Sequence, residues 1–181
     1  MTPEMTEIYN EAGAAIGTIP REEAERDNHI IQNVIVFVFN ALGKVWIQKR
    51  PMTKLNELGQ VVPKSFPGLW DVSACGAVLP GEDELVAAKR EQLEEMGFES
   101  DLQHVETFMN VFPEKNGTTT RLSHLFIGVS EDIPQPSDEV DEFVALPHAE
   151  LRTKVVNAPQ EFIPSFLLEL DKAVKVFVEG R

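Results

Sequence analysis

Residues 76–98, GAVLPGEDELVAAKREQLEEMGF, constrain the fold more than any other stretch of the chain. Pro80-Gly81 followed by acidic residues suits a helix N-terminus, and Gly97 is well placed as the glycine that stops the helix. Glu91, Glu94 and Glu95 then fall at spacings of three and four, so their carboxylates share one face. Like charges at such spacings cost roughly 0.2–0.5 kcal/mol per pair. Only Glu94 has a local cation, Arg90 four residues earlier; Glu91 and Glu95 have none within a turn. Leu85, Ala88, Leu93 and Met96 approximate an apolar stripe on the opposite side, so the carboxylates are expected to face away from the packed side. A solvated acidic face is the ordinary reading of a charge run. Clustered oxygen donors lacking protein cations also suit Mg²⁺ or Mn²⁺, which take one or two carboxylates plus water and phosphate oxygens.

The surrounding sequence supplies the rest of a domain. TEIYNEAGAAIGTIP reads as a hairpin around Asn10-Glu11-Ala12-Gly13, followed by a short polar helix or turn at 21–27. Residues 29–40 are rich in β-branched and aromatic side chains and predict a buried strand, with VWIQKR (45–50) as its hairpin partner. Residues 51–68 carry three prolines and two glycines and read as a long loop. LWDVSACGAVL is strand-like and broken by Gly76. LQHVETFMNVF and TTTRLSHLFIGVS form a strand pair, DEVDEFVALP another strand, and helices follow near 147–155 and 160–178. Phe162, Phe166, Leu167, Leu170 and Val174 give the last helix an apolar face that covers the sheet. The pattern is a mixed α/β layered domain, with an N-terminal extension over 1–28 and the main domain over 29–181.

Composition narrows the partners. The 181 residues carry a net charge of −14, with no basic stripe, which argues against nucleic acids and anionic membranes. The longest apolar run, VIVFVF, is too short to span a bilayer. The N-terminal stretch has neither a basic start nor an apolar core, so no signal peptide is expected. A single cysteine, Cys75, excludes an internal disulfide and fits a reducing cytoplasm. A small phosphorylated ligand remains compatible with this charge through local cations or bridging metal ions. A homodimer through an exposed part of the last helix is left open.

Gly76, Glu82, Arg90, Glu91, Glu94, Glu95 and Gly97 stand at the spacing G-x5-E-x7-R-E-U-x-E-E-x-G-U, which resembles the Nudix box. With each type near ~7% of residues, chance would supply all seven on the order of once in a million chains. Gln92 departs from the pattern, a polar residue at the first position U, where the family prefers an aliphatic one. The resemblance implies an α/β/α sandwich with a mixed sheet and a central loop–helix–loop. It also implies hydrolysis of a diphosphate bond with Mg²⁺, or Mn²⁺ in its place. Glu91 and Glu95 would be the main metal ligands, Glu94 a further ligand or water activator, and the Gly76 carbonyl another ligand. Arg90 and Glu82 would brace the segment as an ion pair. Some members draw the water-activating carboxylate from a distant loop, and Glu139 and Glu142 are the nearest candidates.

Outside the box, VFNALGKVWIQKRPMTK and FPGLWDVSACGAVLPGE resemble the Nudix branch related to type I isopentenyl diphosphate isomerase. By that resemblance Arg50 and Lys54 are diphosphate-binding candidates, and Trp70 and Cys75 lie close to the pocket. Cys75 coincides with the isomerase cysteine of S-x-C-G-H, but Ala77 replaces the histidine, His29 is out of register, and TTTRLSHLF replaces the late Glu-x-Glu. A nucleotide or nucleotide-linked diphosphate is therefore the expected substrate class. An isomerase and a non-catalytic nucleotide sensor are the alternatives.

Overall fold

Strand β3 (Ile31–Phe39) buries every side chain from Val34 to Phe39, so it must be covered on both faces. In the computed structural model, which describes residues 3–55, 59–114 and 117–180, the cover differs on the two sides. Ile35, Phe37 and Phe39 join Leu151, Phe166 and Leu170 in one core; Val34, Val36 and Val38 join Ala87, Ala88 and Met96 in another. The result is an α/β/α sandwich.

Ahead of β3, the chain forms β1 (Met5–Tyr9), β2 (Ala15–Pro20) and the short α1 (Arg21–Arg26). Asn10 closes the hairpin by accepting from the amides of Ala12 and Ala14 through Oδ1. The hairpin docks through Ile8, Ala24 and Ile31. After β3 come β4 (Lys44–Lys49), β5 (Thr53–Leu55), β6 (Val61–Pro63), β7 (Trp70–Asp71), β8 (Ala74–Ala77) and α2 (Glu84–Met96). The chain continues through β9 (Leu102–Glu114), β10 (Gly117–Val129), β11 (Glu142–Pro147), α3 (His148–Asn157), a 3-10 turn at Pro159–Glu161 and α4 (Phe166–Glu179). The main sheet runs β11-β4-β3-β10-β9, with β7 on β4 and β8 on β3; β3 and β10 are parallel and the other pairs antiparallel. No helix among the described residues is long and apolar enough to cross a membrane.

Several expectations need correction. β3 and β4 are joined by a tight turn but pair only at Phe39–Val45. Beyond it the 70–77 segment wedges between them, and Ser73 stitches both sides, accepting from the Val38 amide and donating to the Trp46 carbonyl. The break in that segment falls at Val72-Ser73, not at Gly76, which lies within β8. The expected loop 51–68 contains the β5–β6 ladder, while residues 56–58 of it lie outside the described residues. α4 begins at Phe166 rather than near 160, because Pro159–Glu161 forms a separate 3-10 turn. The apolar stripe assigned to α2 is also wrong in its orientation. Leu85 and Leu93 are 39% and 47% exposed, whereas Glu91, Gln92 and Glu95 are buried with Ala87, Ala88 and Met96.

Candidate active site

Helix α2 is fixed at both ends by its own sequence. Asp83 caps it, accepting from the Leu85 and Val86 amides, and Gly97 ends it at φ 82°. Arg90 ties the helix to the preceding loop. Its Nε and Nη2 bind the two oxygens of Glu82 at 2.9 and 3.0 Å, and Nη2 also reaches the Ala77 carbonyl at 2.9 Å. The expected Glu82–Arg90 ion pair is thus present and bidentate, the geometry that suits a guanidinium. Nη1 meets Glu91 Oε1 at 2.6 Å and Glu94 Oε2 at 3.2 Å, so Glu91 has a protein cation that the sequence reading denied it.

Burying Glu91 and Glu95 brings them against β8. A Cβ at position 76 would collide with the Glu91 carboxyl, so any larger residue there would displace that carboxyl from its place against β8. Glu95, 4% exposed, accepts through Oε2 from Gln48 Nε2 at 2.7 Å and from the Cys75 amide at 2.9 Å. Both donors are neutral. Burial therefore raises the Glu95 pKa to about 8; Glu91 and Asp71 push it further up, and the Cys75 amide and Gln48 oppose the rise. Burial raises that of Glu91 as well, with Arg90 pulling the other way. Glu95 has only neutral donors, and Glu91 shares its one guanidinium with Glu82 and Glu94, so the buried pair carries more negative charge than its partners offset, and a divalent cation fits that deficit. Among the described residues no three His, Cys, Asp or Glu side chains form a ready cation cage.

These carboxyls line an open cleft of about 930 Å³. Arg50, Lys54, Lys64 and Arg121 also line it, so cations and carboxylates share one cavity. Arg50 is held by Asp71 in a buried ion pair and by the Ser65 carbonyl at 2.7 Å. Lys64 donates to the Glu139 carbonyl at 3.0 Å, tying the β5–β6 segment to the loop before β11.

The NUDIX domain model matches residues 29–166. The chain belongs to the NUDIX domain family. Within it the chain lies in the branch related to isopentenyl-diphosphate isomerase. It is 30% identical to an isopentenyl-diphosphate Delta-isomerase of Nocardia farcinica over 164 residues, 87% of each chain. Over 94 residues, 52% of this chain and 50% of the other, it is also 30% identical to an uncharacterized Nudix hydrolase of Pseudomonas aeruginosa. Its fold matches the crystal structure of DR0079 from Deinococcus radiodurans with a TM-score of 0.72 at 22% identity, covering 94% of this chain and 99% of that one.

Of the residues expected at this Nudix site, Gly76, Arg90, Glu91, Glu94, Glu95, Arg50, Lys54 and Cys75 all line the cleft. Glu82 stands behind them on Arg90. Trp70 is not brought into the cleft: it packs against the core beneath Lys49, and its carbonyl accepts from the Ile163 amide. Of the two distant carboxylates, Glu139 lines the cleft and bears on Glu91 electrostatically, whereas Glu142 is in β11 and outside the lining. Gln92 departs from the box for a visible reason, holding the Ser100 amide and hydroxyl from a fully buried position.

Sequence reasoning missed Gln48, Asp71, Lys64 and Arg121. Gln48 and Asp71 left a signal: each is polar within an otherwise strand-like run, and each proves to be buried. Lys64 and Arg121 left none, since their approach depends on the β5–β6 ladder and on the β10 register.

Proposed function

We propose that this chain hydrolyses a diphosphate bond in a nucleoside di- or triphosphate, or in a nucleotide-linked diphosphate, with Mg²⁺ as the metal and Mn²⁺ able to replace it. One observation carries the reading: Glu91 and Glu95 lie buried, with the Glu91 carboxyl packed against Gly76, in a cleft shared with Arg50 and Lys54.

Glu91 and Glu95 would hold the metal, with Glu94 and the Gly76 carbonyl adding oxygens. The ion, when bound, supplies charge to the phosphate oxygens and lowers the pKa of a water. Arg50, anchored by Asp71, offers a pre-set guanidinium for diphosphate, and Lys54 a more mobile charge. Arg90 and Glu82 keep the loop and helix in register. A carboxylate on the cleft orients the attacking water and accepts its proton at a carboxyl oxygen. Of the three carboxylates weighed for this role, Glu94 and Glu139 line the cleft and Glu142 does not, which supports one of the first two. The single cysteine fits a reducing cytoplasm as the compartment.

A second reading follows from the named relative: an isomerase acting on isopentenyl diphosphate. In its favour, Cys75 lines the cleft beside Arg50. Against it, Ala77 stands where the isomerase motif has its histidine, and TTTRLSHLF where it has the late Glu-x-Glu. The deciding experiment incubates the protein and Mg²⁺ with nucleotides, dinucleotides and isopentenyl diphosphate, following phosphate release and isomerised diphosphate separately. Hydrolysis retained in Cys75→Ala and lost in Glu95→Gln supports the hydrolase. Isomerised product, falling more than about a hundredfold in Cys75→Ala, would replace it with the isomerase. Nucleotide binding without turnover would favour a sensor.

A further inference from the structure

The two buried carboxyls of α2 are each held through one oxygen only. Glu91 meets Arg90 through Oε1, and Glu95 takes both of its hydrogen bonds through Oε2. Neither Glu91 Oε2 nor Glu95 Oε1 accepts a hydrogen bond among the described residues. Both residues line the cleft, so these second oxygens are the ones left for a cation. The two holders differ in kind. Arg90 belongs to the box and is charged, whereas Gln48 lies outside it, on β4, and is neutral.

Strand alternation sets the direction of Gln48. Val45 and Ile47 face the core built with α4, while Trp46 joins the core built with α2 and Gln48 points the same way. Pairing with Asp71 on one side and Phe143 on the other fixes its backbone, and the residue is 2% exposed. An ionised carboxylate only accepts, so the amide must present its NH₂ to Glu95. The Cys75 amide approaches the same oxygen from β8. Two donors from separate strands on one oxygen stop the carboxyl from turning about its terminal bond. A lysine or arginine at position 48 would hold it as firmly, but would offset the negative charge that draws a divalent ion. An amide holds it without doing so.

We infer that Gln48 is a positioning residue for the metal site: it locks Glu95 through Oε2 and so leaves Oε1 as the oxygen offered to the ion. This role rests on the metal-dependent reading above and adds to it a residue from outside the Nudix box. Outer-shell partners of this kind orient a ligand before the ion arrives, and their loss weakens metal binding by about 10–100-fold. A merely structural Gln48 would show its loss in the stability of the metal-free fold and not in affinity for the ion.

The test titrates the whole protein with Mn²⁺ alone and counts the free ion by electron paramagnetic resonance, so the result does not depend on turnover. Gln48→Met keeps the length of the side chain and removes its donor, and Gln48→Leu removes the donor with a shorter chain. Each is expected to bind Mn²⁺ about tenfold or more weakly than the wild-type protein. Ile47→Val, at the neighbouring position facing the opposite core, should leave that affinity unchanged while lowering the denaturant midpoint. Wild-type affinity in either folded Gln48 variant, or an equal loss in Ile47→Val, would overturn the positioning role. Failure of both Gln48 variants to fold would overturn it too, by making the residue structural. If the Gln48 variants keep their affinity while Glu95→Gln loses it, the metal reading stands and only the role of Gln48 falls. A wild-type protein that binds no Mn²⁺ would sink both.

Discussion

Helices α2 and α4 cover opposite faces of one sheet, and they bury opposite kinds of surface. α4 turns Phe166, Leu170, Ala173 and Phe177 inward, as an amphipathic helix should. α2 buries only Ala87, Ala88 and Met96 of its apolar residues, and spends the rest of its inner face on Glu91, Gln92 and Glu95. Two leucines are left outside in consequence. A helix that exposes leucine while burying carboxylate is positioned by something other than packing, and such conflicts between local and global preference concentrate at functional sites. Even α4 carries one exception, Glu169, which Asn110 holds within the core at 2.7 Å. α4 is therefore mainly scaffold with one polar group, and α2 mainly chemistry with a minimal scaffold.

The largest test of that contrast is Leu170→Ala, at a side chain with no exposed surface. Loss of a buried leucine costs about 2–5 kcal/mol, so the denaturant midpoint should fall sharply. A cost below about 1 kcal/mol would remove α4 from the core. On the other side of the sheet, Glu95→Gln should leave the midpoint unchanged or raise it, because the amide oxygen can still accept from Gln48 and Cys75. Turnover should nevertheless fall by more than about 100-fold, since even outer-shell losses at metal sites cost 10–100-fold. A variant that unfolds, or one that still turns over normally, would erase the distinction between the two helices.

What the sequence makes legible is whatever is local. The unbroken burial of Val34 to Phe39, the stop at Gly97 and the Asn10 turn each depend on residues within a few positions, and each is found where the pattern puts it; the Glu82–Arg90 pair follows instead from the resemblance to the Nudix box. The facing of α2 is not legible in the same way, because hydrophobic periodicity assumes that the apolar side packs. Here the helix is rotated until Glu95 can meet Gln48 and Cys75, 47 and 20 residues away in the chain. The Asn110–Glu169 contact spans 59 residues and carries no local signature at all. Long-range polar convergence is set by strand register, and the wedge of residues 70–77 between β3 and β4 is the register that a simple hairpin reading overlooks.

Both helices contribute to a shared pH dependence of smaller size. Burial lifts Glu95 to about 8 and Glu169 to about 7, each from an ordinary value of 4.5. The folded protein therefore holds more protons than the unfolded chain between those limits, and stability must fall as pH rises through them. The contribution is complete below 4.5 and eroded by the time both groups ionise in the fold. Thermal midpoints measured from pH 5 to 8.5 should decline, and less steeply in Glu95→Gln and in Glu169→Gln. Mg²⁺ at pH 8.5 should restore the wild-type midpoint but not that of Glu95→Gln, because the ion stabilises only the fold that holds it. A flat profile, or equal restoration in the variant, would detach the buried charge on α2 from metal binding.

The smallest effect is the sharpest comparison, because it repeats the first substitution on the other helix. Leu93 lies in the middle of α2 and would be judged a core residue from sequence spacing, yet it is 47% exposed. Leu93→Ala should change stability by no more than about 0.5 kcal/mol, as surface substitutions do, and alanine's better helix propensity offsets part of even that. The same chemical change thus separates the two helices by several-fold in cost. A loss at Leu93 approaching that at Leu170 would mean that α2 packs on its leucine side against another surface. The buried position of Glu91 and Glu95 would then be one of two faces in contact, and the inference that chemistry sets the rotation of the helix would lose its footing.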